Sequence, residues 1–282
     1  MKKILLFLFL FPALTYAQKM SCCKPSTTEQ FNQLASTDQF ASIHLAPIPL
    51  NYIPEKGTMI TFECADGTKG NAFEVKAGEV KGKKATNIWL FVFHEWWGLN
   101  DYIKREAERI SNELPNVNVI AIDLYDGKVA DTSTVAQEIM QSIKDERARA
   151  IISGAIKYVG KKAKVGTIGW CFGGGWSLQA SLMAGKQAIA CVMYYGMPED
   201  NLKKLKKLNT DVLGIFATKD KWITPEIVSA FKKNMIAADK KITVKSYNAD
   251  HAFANPSNPN YDKVSTDNAH KLALSFLKIR MK

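Results

Sequence analysis

What most restricts the fold is an alternation of short, continuously apolar runs with longer stretches of helical spacing. Runs at Asn87–Glu95 (NIWLFVFHE), Asn116–Tyr125 (NVNVIAIDLY), Lys164–Trp170, Ala188–Gly196, Asp211–Asp220 and Lys241–Asn248 read as strands. A run with no polar alternation needs cover on both faces. Between these runs, Asp101–Leu114, the stretch from Thr132, Phe172–Gly185 and Pro225–Ala238 carry helical spacing, as does the chain from Tyr261. Asp101 suits a helix cap and Pro225 a first helical turn. The stretch from Thr132 is long enough for two consecutive helices. Upstream, TMITFECADG and TKGNAFEVKA flank Asp66-Gly67 and predict a hairpin. The whole pattern predicts an α/β fold, a mostly parallel sheet with helices on both faces.

The start of the chain does not fit that pattern. MKKILLFLFLFPALTYAQ has a basic start, an apolar run too short to span a bilayer, and small residues at Thr15 and Ala17. It reads as a signal peptide cleaved after Ala17, which predicts an exported protein, periplasmic or secreted. No later segment is long and apolar enough to span a membrane. Residues 18–52 are mixed and polar and end in LAPIPLNYIP, whose prolines predict an extended arm lying on the domain formed by residues 53–282. The net charge is +11, and losing Lys2 and Lys3 with the signal lowers it by two to +9. The lysines are scattered, as in KKLKKL at Lys203–Leu208, so they read as solvated faces rather than a nucleic-acid surface.

There are five cysteines, an odd number, so an exported chain keeps at least one thiol free or paired to another molecule. Cys64 and Cys191 sit in apolar, strand-like contexts and read as small core residues. Cys22 and Cys23 lie in a polar stretch soon after the cleavage point. Lipid attachment at Cys22 is disfavoured by Lys19, which stands where an aliphatic residue is wanted. The spacing matches no zinc pattern.

In sheets of this kind the chemistry gathers at the carboxyl ends of the strands. The loops there are HEWWGLND, DLYDGKVAD, WCFGGG, ATKDKW and ADHAFANP. Gly169-Trp170-Cys171-Phe172-Gly173 has the form of a nucleophile elbow, with cysteine in the serine position. The competing reading is a buried structural cysteine beside a tight turn. A nucleophilic thiolate needs a base and a group to orient that base, and on this fold the acid precedes the histidine in the chain. Asp220 and His251 stand at strand ends in that order. Asp250 competes with Asp220 but is adjacent to His251 and ill placed to face its ring. Of the other histidines, His44 lies in the arm and His270 in the last helix, so neither is expected to act as base. The backbone N–H groups of Phe172 and Trp96 are the expected oxyanion donors, and Trp97 and Tyr125 are expected to line the pocket. Glu95 ends a buried strand, where an unpaired acid is costly; Arg105 or a water is its expected partner if its role is structural. His94 beside it is either structural or part of the pocket.

Together HEWWGLND, GWCFGGG, the aspartate of ATKDKW and the histidine of ADHAF resemble the dienelactone hydrolase family of α/β-hydrolases, from about Thr58 to the C-terminus. The resemblance implies an α/β-hydrolase fold, a Cys171–His251–Asp220 triad and hydrolysis of esters or lactones through an acyl-enzyme, with no cofactor and no metal. It also implies that Glu95 contacts the resting thiol and helps generate the thiolate. One departure bears on the substrate. Family members bind the substrate carboxylate with an arginine in a His-Ser-Phe-Ala-Arg segment. Here the segment is His251-Ala252-Phe253-Ala254-Asn255, and the neutral amide of Asn255 cannot form a bidentate carboxylate clamp. Two other functions fit the same fold: a non-catalytic ligand-binding protein, or redox work through Cys22–Cys23 or Cys171.

Overall fold

The structure, a computed structural model, describes residues 25–78 and 86–282. The expected signal segment and the Cys22–Cys23 pair lie outside the described residues.

The described residues form an eight-stranded sheet. Its strands are β1 (Thr58–Glu63), β2 (Lys69–Val75), β3 (Ile88–Phe93), β4 (Asn118–Asp123), β5 (Lys164–Trp170), β6 (Ala188–Tyr194), β7 (Val212–Ala217) and β8 (Ile242–Tyr247). The strand order is β1-β2-β4-β3-β5-β6-β7-β8. The β1–β2 hairpin turns at Asp66-Gly67, and β2 pairs antiparallel with β4. From β4 through β8 all pairings are parallel. The helices connecting these strands are α3 (Asp101–Glu113), α4 (Ser133–Ser142), α5 (Asp145–Val159), α6 (Phe172–Ala184), the short α7 (Leu202–Leu205), α8 (Pro225–Ala237) and the terminal α9 (Lys263–Arg280). The long segment after Thr132 is two helices, because Ile143 and Lys144 adopt extended backbone between α4 and α5.

The apolar runs behave as continuous runs should. All of β4 and β7 is buried, as is β3 beyond Ile88. The α6 helix has almost no solvent face, and from Phe172 through Ser181 every residue is buried. Such a helix cannot be placed by amphipathicity and is placed by packing on both sides. Cys64 and Cys191 are buried free thiols, as their contexts predict.

The arm departs from expectation. It holds two helices, α1 (Thr27–Ala35) and α2 (Asp38–Ile43). Ser26 caps α1 in a reciprocal box with Glu29, and Thr37 caps α2 through the Phe40 N–H. Phe31 and Phe40 are buried, with ring centroids 5.7 Å apart in an edge-to-face pair. The prolines govern only the stretch after Ile43, which lacks regular structure until β1. Glu108 of α3 secures the end of that stretch: its carboxylate accepts the backbone N–H groups of Glu55, Lys56 and Gly57 and the Tyr52 hydroxyl.

Candidate active site

The turn from β5 into α6 carries Cys171 at φ 53°, ψ −118°, in the half of backbone space that residues with side chains seldom occupy. The glycines around it answer a steric demand. A Cβ on Gly169 would lie 2.1 Å from the Gly173 carbonyl oxygen, and one on Gly173 would lie 2.3 Å from that of Phe93. Strand and helix therefore approach each other backbone to backbone, and the cysteine is held at the sharpest point of the turn.

His251 lies in the turn after β8, and the next residue, Ala252, also has a positive φ of 60°. The imidazole bridges two partners. Its Nδ1 lies 2.7 Å from Asp220 Oδ2, and its Nε2 lies 3.3 Å from Cys171 Sγ. A carboxylate can only accept, so Nδ1 carries the proton and Nε2 faces the sulfur. Asp220 is fixed in turn, its Oδ1 accepting the N–H groups of Trp222 and Ile223 at 2.9 Å each. Asp220, rather than Asp250, is thus the ring's partner.

All three residues are buried. Burial favours neutral His251, but the charges of Asp220 and Cys171 outweigh it and hold the imidazole well above its usual range. Burial pushes the Cys171 thiol up, against the opposing pull of His251 and of the Phe172 N–H. Burial also opposes the Asp220 charge, yet His251 and the two backbone donors win and keep its carboxyl below the usual carboxylate range.

Glu95 follows β3 and walls the site. Tyr195 donates its hydroxyl to Oε1 at 3.2 Å, and the Asn255 amide donates to Oε2. Asn255 is oriented for this, because its Oδ1 accepts the N–H of Ser257 at 2.9 Å and its hydroxyl at 2.8 Å. Burial pushes the Glu95 carboxyl up to about 7, against the pull of Tyr195, His251 and Asn255. Two expectations need correction here. The hydrogen-bond partners of Glu95 are Tyr195 and Asn255 rather than Arg105, because the turns after β6 and β8 bring those side chains inward. The hydrogen-bond partner of the resting thiol is His251 rather than Glu95, and a charge on Glu95 would push the thiol further up. Tyr195 escaped sequence reading although it directly follows a buried strand at its carboxyl end, the position that drew attention to the other loops.

His94 is structural. It donates Nδ1–H to the Glu95 carbonyl at 2.7 Å and accepts the Leu124 N–H at Nε2 at 3.1 Å, tying the ends of β3 and β4 together. Among the described residues, the Trp96 N–H has no hydrogen-bond acceptor. Trp97 and Asn255 share a cavity with Glu95, Trp170, Tyr194 and Arg105. Tyr125 does not line this cavity. It is fully buried against His94 and Phe172, with ring centroids 4.7 and 5.5 Å away.

A residue set aside in the sequence returns at the centre of the site. His44 caps the end of α2, 2% exposed, with its ring 5.7 Å from that of His251 and stacked 4.0 Å from that of Phe40. One ring nitrogen each from His44 and His251 lies within 4.8 Å of the other and of Cys171 Sγ. Burial and the neighbouring His251 push the His44 imidazole down to about 3, so it stays neutral. Its placement depends on α1 and α2 folding back over the strand ends. The capping signals of these helices are visible in the sequence, but their destination is not.

With this geometry in place, comparison with known proteins places the chain. The pattern of the dienelactone hydrolase family matches residues 77–280. The chain belongs to the dienelactone hydrolase family. It is 29% identical to Protein usf of Aquifex pyrophilus over 224 residues, which cover 73% of this chain and 96% of that one. A carboxymethylenebutenolidase of a Pseudomonas species is 34% identical over 119 residues, 42% of this chain and 48% of the relative. Among solved structures, a dienelactone hydrolase-like promiscuous phosphotriesterase from metagenomic libraries superimposes with a TM-score of 0.67 at 21% identity. The overlap covers 80% of this chain and 100% of that one, and at such identity it speaks to fold alone. Family membership and the buried Cys171–His251–Asp220 cluster together support cysteine-dependent hydrolase chemistry, of esters or lactones in general. The segment through residue 76, His44 included, precedes the part matched by the family pattern.

Proposed function

We propose that this protein is an exported cysteine hydrolase of carboxylic esters or lactones that works through an acyl-enzyme. The observation that carries this reading is the continuous line from Asp220 through His251 to a sulfur held at a strained strand-to-helix turn. In this reading His251 takes the thiol proton as Cys171 attacks the carbonyl carbon, and Asp220 holds the resulting imidazolium. The N–H groups of Phe172 and Trp96 stabilise the oxyanion. His251 then returns the proton to the departing alcohol and afterwards activates water to release the acid. Glu95 sets the charge beside the sulfur, and Trp97 and Asn255 contact the substrate. An uncharged Asn255 committed to Glu95 supports a substrate that does not depend on a carboxylate clamp at that position.

The test is hydrolysis of an activated ester such as p-nitrophenyl acetate, with mass analysis of the quenched enzyme. Cys171→Ala is expected to lower turnover by at least ~10³-fold with unchanged circular dichroism, and an acyl adduct is expected on the wild type alone. Wild-type turnover retained by the variant would overturn the reading. Export is proposed on the N-terminal segment, and N-terminal sequencing of secreted material should begin at Gln18.

A further inference from the structure

Four buried side-chain polar atoms among the described residues lack a hydrogen-bond partner, and one of them, His44 Nε2, belongs to a ring packed on the triad. Its state follows from its neighbour. His44 Nδ1 lies 2.7 Å from the Phe40 carbonyl oxygen, which can only accept, so Nδ1 carries the proton and Nε2 presents a bare lone pair. His251 is fixed in the same way by Asp220, which turns its Nε2 toward the sulfur. One ring nitrogen of each histidine and the Cys171 sulfur thus converge within 4.8 Å of one another, all three residues buried.

We propose that Cys171, His251 and His44 form a capture site for a zinc-class cation, and that occupancy holds the enzyme inactive until the ion is withdrawn.

The donor set argues for the ion. One sulfur and two imidazole nitrogens suit zinc, whereas calcium and magnesium require oxygen ligands. The geometry is close to what zinc needs. Bonds of about 2.0 Å to nitrogen and 2.3 Å to sulfur place tetrahedral ligand atoms about 3.3–3.6 Å apart. The Cys171–His251 pair already meets this at 3.3 Å, and the set as a whole lies within 4.8 Å, so His44 must approach by about 1 Å. Outer partners are also in place, Asp220 behind His251 and the Phe40 carbonyl behind His44, as metal-bound histidines require.

Binding forms metal bonds to the sulfur and to the two imidazole nitrogens, releases to solvent any proton held on Cys171 Sγ or His251 Nε2, and oxidises nothing. It occupies the lone pairs that attack and proton transfer would use, so the ion blocks hydrolysis rather than assisting it. The third ligand is the residue that caps the end of α2, upstream of the family-matched residues 77–280. The site is therefore a property of this chain's own N-terminal segment laid over a family triad.

The experiment titrates the full-length protein with zinc and, for its visible spectrum, with cobalt(II). The expected result is one equivalent bound, a sulfur-to-cobalt charge-transfer band that is lost in Cys171→Ala, and inhibition reversed by a chelator. Loss of an outer-shell partner alone costs 10–100-fold in affinity, so His44→Gln, which removes a ligand, should weaken zinc binding by at least ~100-fold. Equal affinity in wild type and His44→Gln would overturn the proposal, as would absence of the charge-transfer band in the wild type. Should the variant fail to fold, X-ray absorption of the wild-type zinc complex decides the matter. One sulfur with two imidazoles upholds the site, and one sulfur with a single imidazole overturns it. Because the metal is read by absorption, the result stands whether or not an ester is ever hydrolysed.

Discussion

The two sides of Cys171 are built on opposite principles. Toward β7 and β8 each polar group has its partner: sulfur to His251, His251 to Asp220, Asp220 to two backbone donors. Around the arm and the neighbouring loops, four buried polar atoms among the described residues have none: Asn32 Oδ1, His44 Nε2, Trp96 Nε1 and the Tyr125 hydroxyl oxygen. An unmade buried hydrogen bond costs about 1–3 kcal/mol. The first side is thus a finished network that fixes one tautomer and one direction of proton flow. The second retains hydrogen-bonding capacity that the protein itself does not use, and capacity of that kind is available to a ligand.

The satisfied side should be the more sensitive to small chemical change. Asp220→Asn keeps the shape but allows the side-chain amide to donate, which disfavours the Nδ1–H tautomer of His251. A loss of ~10³–10⁴-fold in turnover is expected, with little effect on KM. A loss below tenfold would show that orientation of His251 does not depend on this carboxylate.

The other side should respond to packing. Phe40 is fully buried among His44, Trp96, Trp222 and His251. Phe40→Ala is expected to destabilise the docked arm by about 3–5 kcal/mol. Hydrogen exchange should then rise in 27–43 while β3 to β7 stay protected, and alkylation of Cys171 should accelerate. Uniform exchange across the chain would show instead that arm and domain unfold as one unit.

Glu95 sits between the two sides, and its effect should be smaller. Its folded pKa of about 7 lies above that of an unfolded glutamate, near 4.5, so the folded state holds the extra proton between those values. Stability should accordingly fall as pH rises from about 4.5 to about 7 and level off above, by about 3 kcal/mol at most. Glu95→Gln removes that slope. Chemical denaturation of both proteins at pH 5 and pH 8 checks it, and identical pH dependence would place the Glu95 pKa near its ordinary value.

The same division separates what the sequence disclosed from what it withheld. Each buried strand was legible because a continuous apolar run has few other uses, and the triad because strand ends and chain order left few alternatives. His44 was illegible for the opposite reason. Helices α1 and α2 are short and largely polar outside Phe31 and Phe40, so the prolines after them are a stronger local signal than the capping box of Ser26 and Glu29. Even with both helices recognised, their docking over Cys171 depends on contacts with residues far along the chain, such as Gln179 with Thr27 and Asn258 with the Ile43 carbonyl. Such contacts leave no local periodicity. The partners of Glu95 were missed likewise, since Tyr195 and Asn255 meet it from turns 100 and 160 residues away.

The irregular stretch between α2 and β1 exposes Leu45, Ile48 and Ile53 to solvent. It makes the helix pair a tethered ligand of its own domain. A protease cutting within that stretch would leave every docking contact in place yet abolish the high local concentration, commonly millimolar for a short connection, that returns the pair after each opening. The cleaved segment would then stay only as long as its own dissociation rate allowed, and a reversible cover would become a releasable peptide.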